Sequence, residues 1–281
     1  MVYLTHFTGT ITAAVRRLKA FLPVALLLLP GSFAFSKIPT DATGKDKGTI
    51  YFFSGLGADS SPFVNLHLPG YNKVYISWIP PLANESLEHY AGRISNQITV
   101  TDPYIIGLSF GGIVAVEVSK QIAVKKMVLI SSVRTRDELN PFNRFFMRLG
   151  MYRIIPGFMI KHANFLTYRY FGAHTERDKK ALTHLLGGTD IPLFRWGLKS
   201  IAHWDNREMP GHTIQIHGTA DKVIASRLVH PDYSIKGGGH LMVFSKADTI
   251  SSIILNYFQD QPVSYPENTD PGITGQGQVS K

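Results

Sequence analysis

Short apolar runs alternate along this chain with stretches whose apolar residues have helical spacing. The runs are TIYFFS (49–54), KVYISW (73–78), YIIGL (104–108), KMVLIS (126–131), TIQIH (213–217) and DYSIK (232–236). Helical patterns follow three of them, at residues 84–98, 110–122 and 245–258. Because strands that alternate with helices form parallel sheets through crossover connections, the sequence predicts an α/β fold with a mostly parallel central sheet flanked by helices.

Two of these helical patterns carry signals for where a helix begins. Asn84 precedes apolar residues at helical spacing and is placed to cap the first helix. Ser245 and Asp248 have the spacing of a capping box at the start of the last helix. We therefore expect Asn84 and Ser245 to mark the two helix starts.

Residues 134–203 interrupt the alternation, because they contain no convincing strand and read as several short helices. They hold eleven aromatic residues, which include Phe142, Phe145, Phe146, Phe165, Tyr168, Tyr170 and Phe171. We expect most of these rings to pack the segment onto the rest of the protein and some to line an apolar pocket. The chain thus divides into an α/β core at 48–133 and 204–260 and a helical insertion at 134–203.

The amino-terminal 34 residues have the layout of a secretory signal peptide. Arg16, Arg17 and Lys19 precede the apolar run AFLPVALLLLP, and small residues follow as far as Ala34. The run at 20–29 is about half the roughly 20 residues that a spanning helix needs, so cleavage is favoured over permanent anchoring. We expect an exported protein, periplasmic or secreted. A membrane-anchored protein and a cytoplasmic protein are the alternatives.

The remaining segments are polar, and the chain has no cysteine. Residues 35–47 read as a linker, and residues 261–281, rich in Pro, Gly and polar residues, read as a disordered tail. Without cysteine the chain cannot form disulfides or thiolate metal sites, and the redox compartment is left open.

Ser109 stands in GLSFG (107–111), directly after one apolar run and before a helical pattern. The spacing G-x-S-x-G in that context is typical of a strand-to-helix elbow that exposes a serine hydroxyl at the carboxyl edge of a sheet. Glycines suit such a turn, since the strand and the helix must approach closely there. Ser109 is therefore a candidate nucleophile, and a serine that merely fills a tight turn is the alternative.

A serine nucleophile needs a base that removes its proton and an acid that orients the base. Asp221 follows the run TIQIH, in HGTADKVI, and Asp205 and Asp137 are substitutes that follow no strand so directly. His240 ends a flexible GGGH turn after the last apolar run and is the best candidate base. We interpret His217 as a scaffold residue.

The negative charge that develops on a carbonyl oxygen needs backbone N–H donors. We expect one from Phe110, the residue after the candidate nucleophile, and one from Leu56 in the loop SGLG that follows the first run. GLGADS in this loop also resembles a dinucleotide-binding turn, but it lacks the third glycine, and the second run ends without an acidic residue for the ribose. The sequence therefore predicts no cofactor and no metal.

The formal net charge of +9 is concentrated in two places. Residues 1–47 hold six Lys/Arg and two Asp/Glu, and residues 134–203 hold twelve and five. The basic insertion or the amino terminus could contact an anionic membrane surface, the insertion could attract an anionic substrate, or it could be a solvated face. No nucleic-acid recognition motif accompanies the basic residues, so we expect no nucleic-acid partner.

Five segments together resemble a bacterial group of α/β-hydrolases over roughly residues 48–258. They are IYFFSGLGAD, YISWIPP, IIGLSFGG, IHGTAD and GGGHLMV. The resemblance implies an α/β-hydrolase fold in which the insertion after the fourth strand is a helical cap over the nucleophile.

Within this resemblance, Ser109, Asp221 and His240 correspond to a catalytic triad, and the backbone amides of Leu56 and Phe110 to the oxyanion hole. One position departs from the pattern, because the first oxyanion loop begins with Ser54 where many relatives have His.

Together these features predict a serine hydrolase that cleaves a small-molecule carboxylic ester or related acyl substrate through an acyl-enzyme. Two alternatives stay open. One is an acyltransferase, and the other is a protein of the same fold that binds a small ligand without catalysis. Elbow and triad are shared by many acyl chemistries, so the sequence does not name the substrate.

Overall fold

The computed structural model describes residues 46–262 and 273–275. The predicted leader at 1–34 lies outside the described residues, as do 35–45 of the linker and most of the predicted tail. Among the described residues, no helix has the length and apolar character needed to cross a membrane.

A single sheet of seven strands forms the centre of the described structure, in the order β2-β1-β3-β4-β5-β6-β7. The first six strands are parallel, and β7 runs antiparallel to β6. The strands are β1 (Thr49–Phe53), β2 (Asn72–Tyr75), β3 (Tyr104–Leu108), β4 (Lys126–Ile130), β5 (Thr213–Gly218), β6 (Tyr233–Ile235) and β7 (Ile273–Gly275). This arrangement confirms the predicted α/β fold with a mostly parallel sheet.

Helices cover both faces of the sheet. They are α1 (Leu87–Ile94), α2 (Phe110–Ser119), α3 (Pro141–Arg148), α4 (Gly157–Lys161), α5 (Phe165–Phe171), α6 (Glu176–Gly187), α7 (Ile191–His203), α8 (Met242–Ser245) and α9 (Ala247–Phe258). Because successive strand side chains point to opposite faces, Ile50 and Phe52 join one apolar cluster and Tyr51 and Phe53 join the other. The central strands β1, β3, β4 and β5 are therefore buried on both sides, as parallel strands are, whereas the edge strand β2 has no buried residue.

Both predicted helix starts are wrong in detail. Ser86, not Asn84, caps α1, because its extended backbone lets the side chain accept from the amide of His89 at 3.1 Å. Ser245 instead ends α8, and Lys246 connects α8 to α9 while its amide donates to Met242 O at 2.7 Å. With the chain already helical through Ser245, the capping box cannot form.

The predicted disordered tail contains a strand. Residues 273–275 form β7, with Ile273 opposite Ile235 in the register with β6. Pairing with an edge strand supplies backbone hydrogen-bond partners that composition alone does not reveal.

The insertion at 134–203 is helical and contains α3 to α7. Trp196 of α7 packs against Tyr90 and Phe110 of the core, with ring centroids 4.3 and 6.1 Å apart. A narrow majority of its aromatic residues, six of the eleven, is buried or half-buried, which agrees with the expectation that most of these rings pack onto the rest of the protein. Five of the eleven are exposed: Phe142, Phe145, Phe158, Phe165 and Tyr170.

Candidate active site

Three side chains from distant parts of the sequence meet at the carboxyl edge of the sheet. Ser109 Oγ lies 2.9 Å from His240 Nε2, and His240 Nδ1 lies 2.8 Å from Asp221 Oδ2. Since a carboxylate accepts at Nδ1, that nitrogen carries the proton, and Nε2 is left to accept the hydroxyl hydrogen of Ser109. The hydroxyl is thereby aligned with a base, and the base with an acid.

Ser109 occupies a strained turn between β3 and α2. Its φ of 53° and ψ of −124° lie in a region that residues with a Cβ atom rarely adopt. Two hydrogen bonds hold the backbone there, because Ser109 N donates to Ile130 O at 3.0 Å and Ser132 Oγ donates to Ser109 O at 2.7 Å. The end of β4 thus fixes the elbow that follows β3.

The glycines around Ser109 are required by close backbone contacts. A Cβ atom on Gly111 would collide with the carbonyl oxygens of Phe53 and Ser54 at the end of β1, and one on Gly107 would collide with the backbone of Gly112. The turn therefore has no room for side chains beside the serine, as G-x-S-x-G requires.

The loop after β5 holds the carboxylate of Asp221 in place. Asp221 Oδ1 accepts from the amides of Val223 and Ile224 at 2.9 and 3.0 Å, which leaves Oδ2 for His240. Burial acts to raise the pKa of Asp221, but interactions with His240 and His217 and the hydrogen bond from the Ile224 amide together hold the pKa below its usual value. The group is therefore a carboxylate when it orients the imidazole.

His240 is delivered by the glycine-rich turn after β6. A Cβ on Gly218 would collide with Gly238 O, and one on Gly239 would lie 2.8 Å from Gly172 Cα. The turn is therefore pressed between β5 and the end of inserted helix α5. Phe171 of the same helix meets the imidazole edge-on, with ring centroids 5.7 Å apart.

His217 forms a second histidine contact beside the acid. Its Nε2 donates to Ile224 O at 3.0 Å and lies 3.5 Å from Asp221 Oδ2. Burial lowers the pKa of His217, against the opposing effect of Asp221, so the imidazole is neutral. His217 supports the Asp221 loop through these contacts and forms no hydrogen bond with Ser109. This agrees with its interpretation as a scaffold residue.

The two substitute carboxylates lie elsewhere. Asp137 and Asp205 both pair with Arg136 and are largely exposed. Neither contacts His240 among the described residues. Their sequence positions lack the preceding strand end that brings Asp221 to the carboxyl edge of the sheet.

Leu56 and Phe110 both line the cavity that contains Ser109. Within the described residues, neither backbone N–H has a hydrogen-bond acceptor. Gly55 is also adjacent, since a Cβ atom placed there would lie 3.9 Å from Ser109 Cβ. Two N–H groups without an acceptor thus belong to residues that line the cavity beside the serine.

Trp78 anchors the loop that carries Leu56, and sequence reasoning missed it. Its Nε1 donates to Gly55 O at 3.2 Å and to Ala58 O at 3.1 Å. Ser54 has no such role, because its buried Oγ has no partner among the described residues. Trp78 ends the second apolar run, KVYISW. No local sequence pattern predicts its contact with the Leu56 loop, which follows the first apolar run.

The cavity beside Ser109 is small, about 190 Å³, and mostly apolar. Core and insertion both contribute to its wall, which includes Leu56, Leu182, Leu185, Phe194, Leu198 and Ile201. A larger and more open groove of about 730 Å³ lies between α1 and α7 and shares no lining residue with it. That groove is lined by charged and polar side chains and holds no nucleophile beside a base.

No group of three or more metal-ligating side chains is clustered anywhere in residues 46–262.

Comparisons with known proteins agree with the fold. Residues 26–252 match the alpha/beta hydrolase family. No curated protein sequence matches the chain. Solved structures with the same fold include an esterase from Exiguobacterium antarcticum, with 15% identity, a TM-score of 0.59, and coverage of 75% of this chain and 92% of that one.

Two further structures are similar at the same level. The enol-lactonase from Burkholderia xenovorans LB400 has 16% identity and a TM-score of 0.59, and the match covers 78% of this chain and 94% of the enzyme. A bromoperoxidase from Bacillus anthracis has 14% identity and a TM-score of 0.59, with coverage of 77% and 93%. At these identities the structures establish the shared fold, and the match over 26–252 shows that the chain belongs to the alpha/beta hydrolase family.

Proposed function

We propose that this protein is a serine hydrolase that cleaves a carboxylic ester or a related acyl compound through an acyl-enzyme. The observation that carries the proposal is the hydrogen-bonded line from Ser109 Oγ through His240 to Asp221, with contacts of 2.9 and 2.8 Å. A buried acid, a base and a hydroxyl in that order convert a weak nucleophile into an effective one.

In the first half of the reaction, Ser109 Oγ attacks the carbonyl carbon of the substrate while His240 Nε2 takes the hydroxyl proton. The carboxylate of Asp221 stabilises the imidazolium that forms. The unused amides of Leu56 and Phe110 would donate to the oxyanion of the tetrahedral intermediate. When that intermediate collapses, His240 returns the proton to the leaving alcohol.

In the second half, a water molecule takes the place of the alcohol. His240 Nε2 removes a proton from the water as it attacks the acyl carbon, and the proton then returns to Ser109 Oγ as the acid leaves. The same imidazole therefore acts first as base, then as acid, in each half-reaction.

The cavity supports a substrate with a compact apolar acyl or alkyl group. Its volume of about 190 Å³ and its leucine-rich wall leave few polar partners besides the reacting groups. We therefore propose that short-chain esters react faster than long-chain ones. An esterase and an enol-lactonase share the fold, which agrees with acyl chemistry.

The test is Ser109→Ala in the full chain, assayed with p-nitrophenyl esters of increasing chain length and with a fluorophosphonate probe. We expect labelling to disappear and kcat to fall by about 10⁶-fold, because no other group can form the acyl-enzyme. Normal ester hydrolysis by the variant would contradict the proposal.

Ser131→Ala is a matched control for this test. Ser131 follows the neighbouring strand β4, is buried, and has a similar left-handed φ of 46°. Its Oγ has no hydrogen-bond partner among the described residues. We expect the Ser131→Ala variant to keep both probe labelling and ester turnover. The loss in Ser109→Ala would then be due to the missing hydroxyl at 109 and not to replacing a buried serine with positive φ.

A further inference from the structure

Exposed apolar side chains are concentrated in residues 142–170. This stretch holds ten of the fifteen large apolar side chains that are exposed in the described residues. Among them, Phe142, Leu149, Ile154, Phe158 and Phe165 are each between 65% and 76% exposed. Soluble proteins rarely leave so many large apolar groups close together in sequence in contact with water, unless the surface binds something.

Helix α3 shows that this exposure is built into the packing. Its arginines face the protein, because Arg144 Nη2 donates to Trp204 O and Arg148 Nε to Ala202 O, each at 2.8 Å. Phe142, Phe145 and Leu149, spaced one helical turn apart, are left exposed. An ordinary surface helix has the opposite orientation, with its apolar stripe against the core.

The charge of the same stretch has one sign. Residues 139–175 contain no Asp or Glu and five Lys/Arg: Arg144, Arg148, Arg153, Lys161 and Arg169. None of the five forms an ion pair with a described residue. Apolar side chains beside uncompensated cations are the combination found on surfaces that lie in the headgroup region of anionic bilayers.

We propose that the exposed side chains of residues 142–170, here called the 142–170 surface, bind the surface of an anionic lipid membrane. The aromatic and aliphatic side chains enter the boundary between headgroups and acyl chains, and the exposed cations Arg153, Lys161 and Arg169 contact the lipid phosphates. The proposal does not depend on the proposed hydrolase activity.

Charge selects lipid over the other partners that could cover this surface. A second copy would bring another chain of net charge +9, and the amino-terminal residues 1–47 carry six Lys/Arg against two Asp/Glu. Both would place like charges against the unpaired cations, which opposes association. An anionic bilayer offers opposite charge and an apolar interior together.

The 142–170 surface adjoins the candidate active site through α5. Phe165, Leu166 and Tyr170 of this helix are exposed, whereas Phe171 contacts the ring of His240. A protein bound through this surface would therefore hold the Ser109 region next to the lipid.

The chain has no cysteine, so one introduced thiol can be labelled uniquely. In the full chain, Phe158→Cys and Val100→Cys would each carry a polarity-sensitive nitrobenzoxadiazole dye. Val100 is exposed but precedes β3, at the edge of the sheet opposite Ser109, and is the matched control. Vesicles of phosphatidylcholine alone and of phosphatidylcholine with 30% phosphatidylglycerol (roughly physiological anionic content) would be added.

We expect the dye at 158 to brighten several-fold and shift to shorter wavelength with the anionic vesicles only, and to revert in about 1 M salt, where charges are screened within about 3 Å. The dye at 100 should not respond. Replacing Arg153, Lys161 and Arg169 by Gln should weaken the response roughly 100-fold in lipid concentration.

Two results would overturn the proposal. One is a dye at 158 whose fluorescence does not change with anionic vesicles. This holds even if the protein sediments with the vesicles, since another segment, such as the amino terminus, would then bind the lipid. The other is a response at 158 that depends on protein concentration and needs no lipid, which would identify a second copy as the partner.

Discussion

The α/β core and the helical insertion use the same residue type in opposite ways. Phe52 and Phe53 of β1 are 1% and 0% exposed, whereas Phe142 and Phe145 of α3 are 68% and 57% exposed. In the core, the central strands β1, β3 and β4 are covered on both faces, so their apolar side chains are buried whichever way they point. In the insertion, nothing comparable fixes which side of a short helix is covered.

A similar contrast separates glycines at the carboxyl edge of the sheet from a glycine at an exposed helix end. Core glycines at 107, 111 and 218 lie where any Cβ would collide with backbone, but Gly187 at the end of α6 has nothing within 4 Å. Close backbone contacts at the carboxyl edge of the sheet therefore fix the turns that carry the candidate catalytic groups, while the insertion supplies a wall of the cavity and an outward surface. Close backbone packing limits the sequence far more than surface helices do.

Among tests of this comparison, the largest expected effect is on Asp221 of the core. Asp221→Asn should lower kcat by about 10⁴-fold with little change in KM, because an amide at this position no longer holds the proton of His240 on Nδ1. Circular dichroism would establish that the variant is folded. The control is Asp137→Asn, which replaces an exposed carboxylate of the insertion and should leave kcat unchanged. Equal losses of kcat in both variants would show that Asp221 has no special role.

The next effect is on stability. Gly111→Ala should reduce the free energy of unfolding by at least about 3 kcal/mol, because the added methyl meets two carbonyl oxygens of fixed backbone. Gly187→Ala should be neutral or stabilising by up to about 1 kcal/mol, since alanine favours helix and the space is empty. Urea unfolding of both variants measures their free energies of unfolding. Comparable values would show that Gly111 is no more tightly packed than Gly187.

A pH dependence of stability should follow from His217 of the core. Burial lowers its pKa in the folded protein, while the unfolded chain binds a proton near pH 6.5. Below pH 6.5 the unfolded state therefore holds more protons, and stability should fall with decreasing pH by up to about 1.4 kcal/mol per unit.

Replacing this residue tests the assignment directly. His217→Gln should flatten the decline in unfolding free energy between pH 6.5 and 5, measured by urea titration at each pH. His162→Gln, at an exposed histidine beside α4, should retain the slope of the parent. An unchanged slope in His217→Gln would show that another group produces the dependence.

The smallest expected effect is at the exposed aromatics. Phe145→Ser should change the free energy of unfolding by no more than about 0.5 kcal/mol, because the ring makes few contacts that folding creates. Phe53→Ala should cost about 3–5 kcal/mol, since it leaves a cavity beneath the sheet. A large loss in Phe145→Ser would mean that the ring is buried in solution.

Much of the candidate site was predictable because its residues follow strand ends. Ser109 comes directly after an apolar run, Asp221 and His240 lie in the loops that follow two others, and the carboxyl ends of parallel strands meet at one edge. The G-x-S-x-G spacing then distinguishes one serine from the others. These are local patterns whose spatial consequence follows from the topology of the sheet.

Features that depend on contacts between distant segments were not predictable. Trp78, which follows the neighbouring strand β2, holds the Leu56 loop through hydrogen bonds to its backbone. Ser86 and not Asn84 caps α1, because Ser86 has an extended backbone and Asn84 has a positive φ. The strand at 273–275 depends on an available edge of β6. For the Leu56 loop and the strand at 273–275, several local choices were compatible with the sequence, and a partner elsewhere in the chain selected one.

The sequence by itself determined the order of strands and helices, the place of the nucleophile elbow and the identity of its candidate partners, because periodicity and glycine spacing act over a few residues. Only the tertiary structure decided the 2.9 Å contact of His240 with Ser109, the small apolar cavity and the outward turn of Phe142 and Phe145. These three features depend on which surfaces pack against each other. Packing is decided by the total free energy of all contacts in the fold, so no short segment of sequence determines it.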